Sequence, residues 1–121
     1  MKLYPNLIRP VVDALEEIFQ GKKFADKIIQ QTLKKDKRWG SRDRGFIAET
    51  TYDIVRWYRL LYEIRGAQPN SKADWWEIVG IWFTINEVKL PDWKEFAKLD
   101  TSIILQQHTK LSDKRLSLIH I

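Results

Sequence analysis

Residues Arg38–Tyr62, RWGSRDRGFIAETTYDIVRWYRLLY, decide the fold. Ser41 suits a helix N-cap, because its hydroxyl can accept a backbone N–H left orphaned in the first turn. Asp43 then falls in that turn, where negative charge favours the positive end of the helix dipole. Stepping about 100° per residue puts Phe46, Ile47, Thr50, Thr51, Ile54, Val55, Trp57, Tyr58, Leu61 and Tyr62 on one broad face. Arg42, Glu49, Asp53, Arg56, Arg59 and Glu63 take the other face, with Leu60 as its one apolar member. So wide an apolar arc exceeds what a surface helix needs. The pattern predicts one uninterrupted core helix from Ser41 to near Arg65. At roughly 1.5–3 kcal/mol for each large side chain fully buried, it would supply much of the hydrophobic stabilisation.

Outward from this helix, the 121 residues suffice for one domain with a real core. Five glycines and four prolines are few, and long helix-compatible runs lie between them. The expected fold class is all-α, a compact bundle of about five helices. Toward the N-terminus, Leu7, Val11, Leu15, Ile18 and Phe19 predict a helix starting at Asn6 or Arg9 and reaching Gln20. Pro10 sits comfortably only in a first turn, and Gly21 is the expected C′ residue. A second helix is predicted over Phe24–Lys35, with Phe24, Ala25, Ile28, Ile29 and Leu33 on its buried side.

Beyond the central helix, Gly66 and AQPNSK form a loop. A tryptophan-rich helix over Ala73–Asn86 is apolar nearly all round, so it is either buried on most sides or built to meet another domain. Leu90 and Pro91 break the chain. A short helix within Asp92–Leu99 carries Trp93 and Phe96 on one side, and a further helix can start at Asp100. Residues Leu116–Ile121, LSLIHI, read like the translation of a sequencing adapter. The expected module therefore spans residues 1–115, with 116–121 as read-through and a continuation of the gene beyond.

The absence of cysteine excludes disulfides, thiolate metal sites and cysteine nucleophiles within the chain. No glycine-rich phosphate loop and no H-E-x-x-H metal motif is present. His108 reads as a surface or capping residue, and Asp43, Glu49 and Asp53 as helix salt links to nearby arginines rather than an acid–base pair. No apolar run is long enough to span a bilayer and no signal peptide opens the chain, so a cytoplasmic setting without membrane or metal is expected.

Charge is the informative feature. Between Lys22 and Arg44 nine basic residues face three acids, an excess of +6 against +5 for the whole chain. A basic cluster beside an aromatic is the footprint of a polyanion partner, most simply nucleic acid. The same pattern also suits a solvated lysine-rich helix end. The candidate contacts are Lys34, Lys35, Lys37, Arg38, Trp39, Arg42 and Arg44, with Arg56 next, although a salt link of Arg56 to Asp53 or Glu63 competes. Trp39 can either stack on a base or plug the base of the bundle.

The segment Ala25–Tyr58 resembles the N-terminal domain of the RsmB/Sun/Nop family of RNA cytosine-5 methyltransferases. The resemblance rests on Asp43, Arg44, Phe46, Ile47, Ala48, Glu49, Tyr52, Ile54, Val55 and Arg56, in the pattern D-R-x-F-I-A-E-x-x-Y-x-I-V-R. It extends to LPDW at Leu90–Trp93. It implies the all-helical RNA-binding fold of the antitermination factor NusB, a structured RNA partner (ribosomal or transfer), and a following Rossmann-like domain that uses S-adenosyl-L-methionine and two cysteines. This chain has neither cysteine and no cofactor loop, so no catalytic residue carries over. The implied role is an RNA-binding N-terminal module for an absent catalytic domain, docked through the Trp75–Phe83 helix. The alternative is a free-standing NusB-like RNA- and protein-binding regulator without catalysis.

Overall fold

A computed structural model describes residues 1–112. The expected module boundary at Arg115 and the adapter-like segment 116–121 lie outside the described residues. The fold is all-helical: α1 (Pro5–Phe19), α2 (Ala25–Leu33), α3 (Ser41–Arg56), α4 (Tyr58–Arg65), α5 (Lys72–Ile85), a 3-10 turn (Lys94–Phe96) and α6 (Thr101–Ser112). No helix among the described residues is long and apolar enough to cross a membrane. The chain divides into two compact units, one over Lys2–Val55 and one from Arg56 onward.

In the first unit, α1 packs on α2. Ala14, Ile18, Ile28 and Ile29 form a buried cluster, against which Phe19, Ala25, Leu33, Ala48 and Val55 pack. Pro5 sets the start of α1, while Pro10 is tolerated inside it. The acceptor that Pro10 deprives of a donor, the Asn6 carbonyl, belongs to an exposed first-turn residue that water can reach. At the other end of α1 the left-handed residue is Lys22, φ 53°, not Gly21. Glycine is required at 21 for a different reason: a Cβ there would lie 2.5 Å from the Glu17 carbonyl oxygen. Phe24 corrects a second expectation. It precedes α2 in extended backbone and is 83% exposed rather than buried.

The central stretch keeps its faces but not its continuity. Ile47, Thr50, Thr51, Ile54 and Leu61 are buried, while Arg42, Glu49, Asp53, Arg56, Arg59 and Glu63 are exposed. The Gly40 carbonyl accepts the first backbone bond of α3, from Arg44 N at 3.0 Å. Gly40 therefore occupies the cap and Ser41 the first helical position, with Asp43 in the first turn as expected. At Trp57 the backbone leaves the helix, φ −103° and ψ 18°, and α4 starts afresh. The angular phase counted from Ser41 does not carry past that residue. Leu60, assigned to the polar face, is accordingly buried.

In the second unit, α5 packs on α4, α6 and the 3-10 turn. Ser71 caps α5 by accepting from Asp74 N at 3.2 Å, and Gly66, φ 99°, closes α4. Arg65 ties α4 to α5, donating to Asp74 at 2.6 Å and Glu77 at 3.0 Å. Tyr58 stacks on Trp75, and Trp76 meets Trp93 and Phe96 edge-on. Trp75, Trp76 and Phe83 are all at least nine-tenths buried. Trp82 on the same helix is half-buried, so α5 is mainly a core helix within this unit. Gly80 lets the chain after α5 approach, since a Cβ there would meet Leu99 Cδ1 at 2.5 Å and Phe96 Cδ1 at 2.9 Å.

Candidate nucleic-acid interface

The basic residues collect where α2 ends and α3 begins, because two short helices with buried apolar stripes need a polar connection. Lys34 caps α2, its N–H bonding back to the Gln31 carbonyl at 3.2 Å, while the Lys35 N–H bonds to the Thr32 carbonyl at 3.1 Å. Asp36 then organises the turn. Its carboxylate accepts Arg38 N at 2.9 Å, Arg38 Nε at 3.0 Å and Arg38 Nη2 at 2.8 Å. These side-chain and backbone bonds from Arg38 hold the Asp36 carboxyl at about 2, well below its ordinary value. Reciprocally, the Arg38 guanidinium is held more firmly protonated. Arg38 remains solvent-facing but is already paired.

Lys34, Lys35, Lys37, Arg42 and Arg44 are exposed. Among the described residues, Lys34, Lys35, Lys37 and Arg42 have no ion-pair partner. Arg44 is oriented by donating Nη1 to the Trp39 carbonyl at 2.9 Å. Trp39 itself corrects half of its sequence reading. The indole is only 7% exposed, so it serves as a plug and offers no face for a base to stack on. Its Nε1 is buried without a hydrogen-bond partner among the described residues. Arg56 belongs to the second unit, and its guanidinium carbon lies 5.5 Å from the Trp57 ring centroid, a cation–π contact.

The first unit also holds a feature that composition did not reveal. An open groove of about 470 Å³ is lined by Ile29, Gln30, Leu33, Lys34, Arg44, Ala48 and Tyr52. Its geometry follows from helix periodicity. Residues 26, 30 and 34 form one row along α2, and 52, 48 and 44 form one row along α3, in opposite order. The Tyr52 hydroxyl hydrogen-bonds to the Asp26 carboxylate at one end; Lys34 and Arg44 share the other. That bond, with burial and the carboxylate charge adding to it, raises the pKa of the Tyr52 hydroxyl above its ordinary value. The signal in the sequence was the four-residue spacing Asp26–Gln30–Lys34 and Arg44–Ala48–Tyr52, legible only once the two helices are known to be antiparallel neighbours.

Chemically, the site can bind anions and cover an apolar moiety. No group of three or more His, Cys, Asp or Glu side chains that could hold a metal ion occurs among the described residues. Comparison with protein-family models, with curated proteins and with solved structures gave no match for this chain.

Proposed function

We propose that this chain is an RNA-binding module, whose Lys34, Lys35, Lys37, Arg42 and Arg44 grip phosphates of ribosomal or transfer RNA. The observation that carries this reading is the group of exposed cations around the α2–α3 connection, most of them without an ion-pair partner. Unpaired cations of one sign on a rigid connection release counterions when they meet a polyanion. The motif running from Asp43 to Arg56 supports the more specific proposal that the module serves an RNA cytosine-5 methyltransferase of the RsmB/Sun/Nop type. In that proposal S-adenosyl-L-methionine and the catalytic cysteines belong to another domain, since these residues include no cysteine and no glycine-rich loop.

The test is a salt titration of RNA binding. Replacing Lys34, Lys35 and Lys37 together by alanine should weaken binding to unrelated RNA sequences about equally. Each lost phosphate contact should flatten the log–log salt dependence by roughly 0.7–0.9. Unchanged affinity and slope would overturn the assignment.

A further inference from the structure

We infer that the groove between α2 and α3 seats one unpaired nucleotide of the bound RNA, with its phosphate at Lys34 and Arg44 and its base over Ile29, Leu33 and Ala48. This rests on the RNA-binding reading and adds to it a discrimination that phosphate contacts alone cannot give. The groove is polar in its charge: two cations line one end, while the Asp26 carboxylate holds Tyr52 at the other. A phosphate is therefore attracted to one end and repelled from the other, which orients the ligand. Arg44 spends one guanidinium N–H on the Trp39 carbonyl, and its fork keeps donors for a phosphate oxygen.

Between the ends, the floor is apolar and the wall carries Tyr52, 41% exposed and tethered by its hydroxyl. A tethered ring is a stacking surface that has little conformational freedom left to lose. Gln30 adds an amide that can both donate to and accept from a base edge. A volume of about 470 Å³ lies within the roughly 300–1,000 Å³ of small-ligand sites. Paired bases in a duplex cannot enter, because their faces are stacked and their edges engaged. An acidic amphipathic peptide would match the cations and the floor, but it would leave the Gln30 amide and the tethered ring without a specific role.

The experiment uses the whole chain with methyl groups labelled for NMR. Cytidine monophosphate should shift the methyl resonances of Ile29, Leu33 and Ala48. An unstructured RNA should bind about tenfold more tightly than a duplex of equal length, the scale of one stacked base. Tyr52→Ala, at an exposed position, and Ala48→Met, which fills the groove, should each abolish that preference while leaving duplex affinity and its salt slope unchanged. Tyr52→Phe, which keeps the ring but frees it from Asp26, should retain part of the preference. Equal binding of both RNAs by the unmodified protein would overturn the nucleotide seat and leave the phosphate-binding reading standing. Failure to bind either RNA would overturn that reading and the seat with it. Methyl shifts produced by an acidic amphipathic peptide but not by the nucleotide would assign the groove to a protein ligand and overturn the inference.

Discussion

Asp36 shows how one side chain can set the shape of a connection. Its two oxygens take three N–H groups of Arg38, one from the backbone and two from the guanidinium. Ionisation is thereby favoured in the folded state, with the carboxyl falling from 3.8 to about 2. A depressed folded pKa means the clamp contributes fully above pH 3.8 and is lost as pH falls to about 2. A carboxyl-carbon NMR titration should place the Asp36 midpoint near 2, and an ordinary midpoint near 3.8 would show the clamp to be open. Thr51 makes a second residue-scale case. Its buried hydroxyl donates to the Ile47 carbonyl at 2.7 Å, an acceptor that the helix's own ladder also serves. Thr51→Val removes that bond without orphaning its acceptor, so stability should change by less than about 1 kcal/mol. Thr51→Ser keeps the bond but deletes a buried methyl, at about 0.8 kcal/mol. Thermal melts should rank the serine variant below the valine variant. The reverse order would show the hydroxyl to matter more than the packing.

At the scale of elements, Arg65 and Gly80 are two of the positions through which α5 is fixed to its neighbours. Arg65 is largely buried and serves two carboxylates, Asp74 and Glu77, while Nη1 donates to the Ala67 carbonyl at 3.1 Å. Arg65→Met should leave both acids short of a donor and cost about 2 kcal/mol in a denaturant titration, the range of hydrogen bonds to charged groups. Gly80→Val should cost about 2–3 kcal/mol by overpacking against Leu99 and Phe96. A loss near zero would mean that the segment after α5 yields to the added methyls. The sequence exposed much of this level and hid a definable part. Face assignment over Phe46–Val55 was legible because burial follows angular position within one continuous helix. The break at Trp57 was not, since one residue of non-helical backbone leaves the periodicity on either side intact. Phe24 misled because hydrophobicity at a helix start does not say whether the residue lies inside the first turn or before it.

At the scale of the whole molecule, the net charge of +5 is unevenly available. The basic cluster was legible in composition, but which of its members are free to meet a ligand depended on Asp36, whose choice of Arg38 no pattern in the sequence ranks above Lys35 or Lys37. The groove was hidden for a related reason: its two rows come from different helices, and only their antiparallel register brings Lys34 to Arg44. Freeing Arg38, the ion-paired cation of the α2–α3 connection, should therefore give a gain of function. Asp36→Asn keeps an acceptor for the Arg38 backbone N–H but releases the guanidinium from its ionic partner. If the α2–α3 connection lies on RNA, one more phosphate is engaged. The log–log salt slope should then steepen by about 0.7–0.9, and affinity should rise at low salt. Loss of the Asp36 charge alone would also strengthen binding, so the slope rather than the affinity is the deciding observable. Adding Arg38→Ala to Asp36→Asn should return the slope to that of the unmodified protein. A slope that Asp36→Asn leaves unchanged would place Arg38 off the RNA path and confine the contact to Lys34, Lys35, Lys37, Arg42 and Arg44.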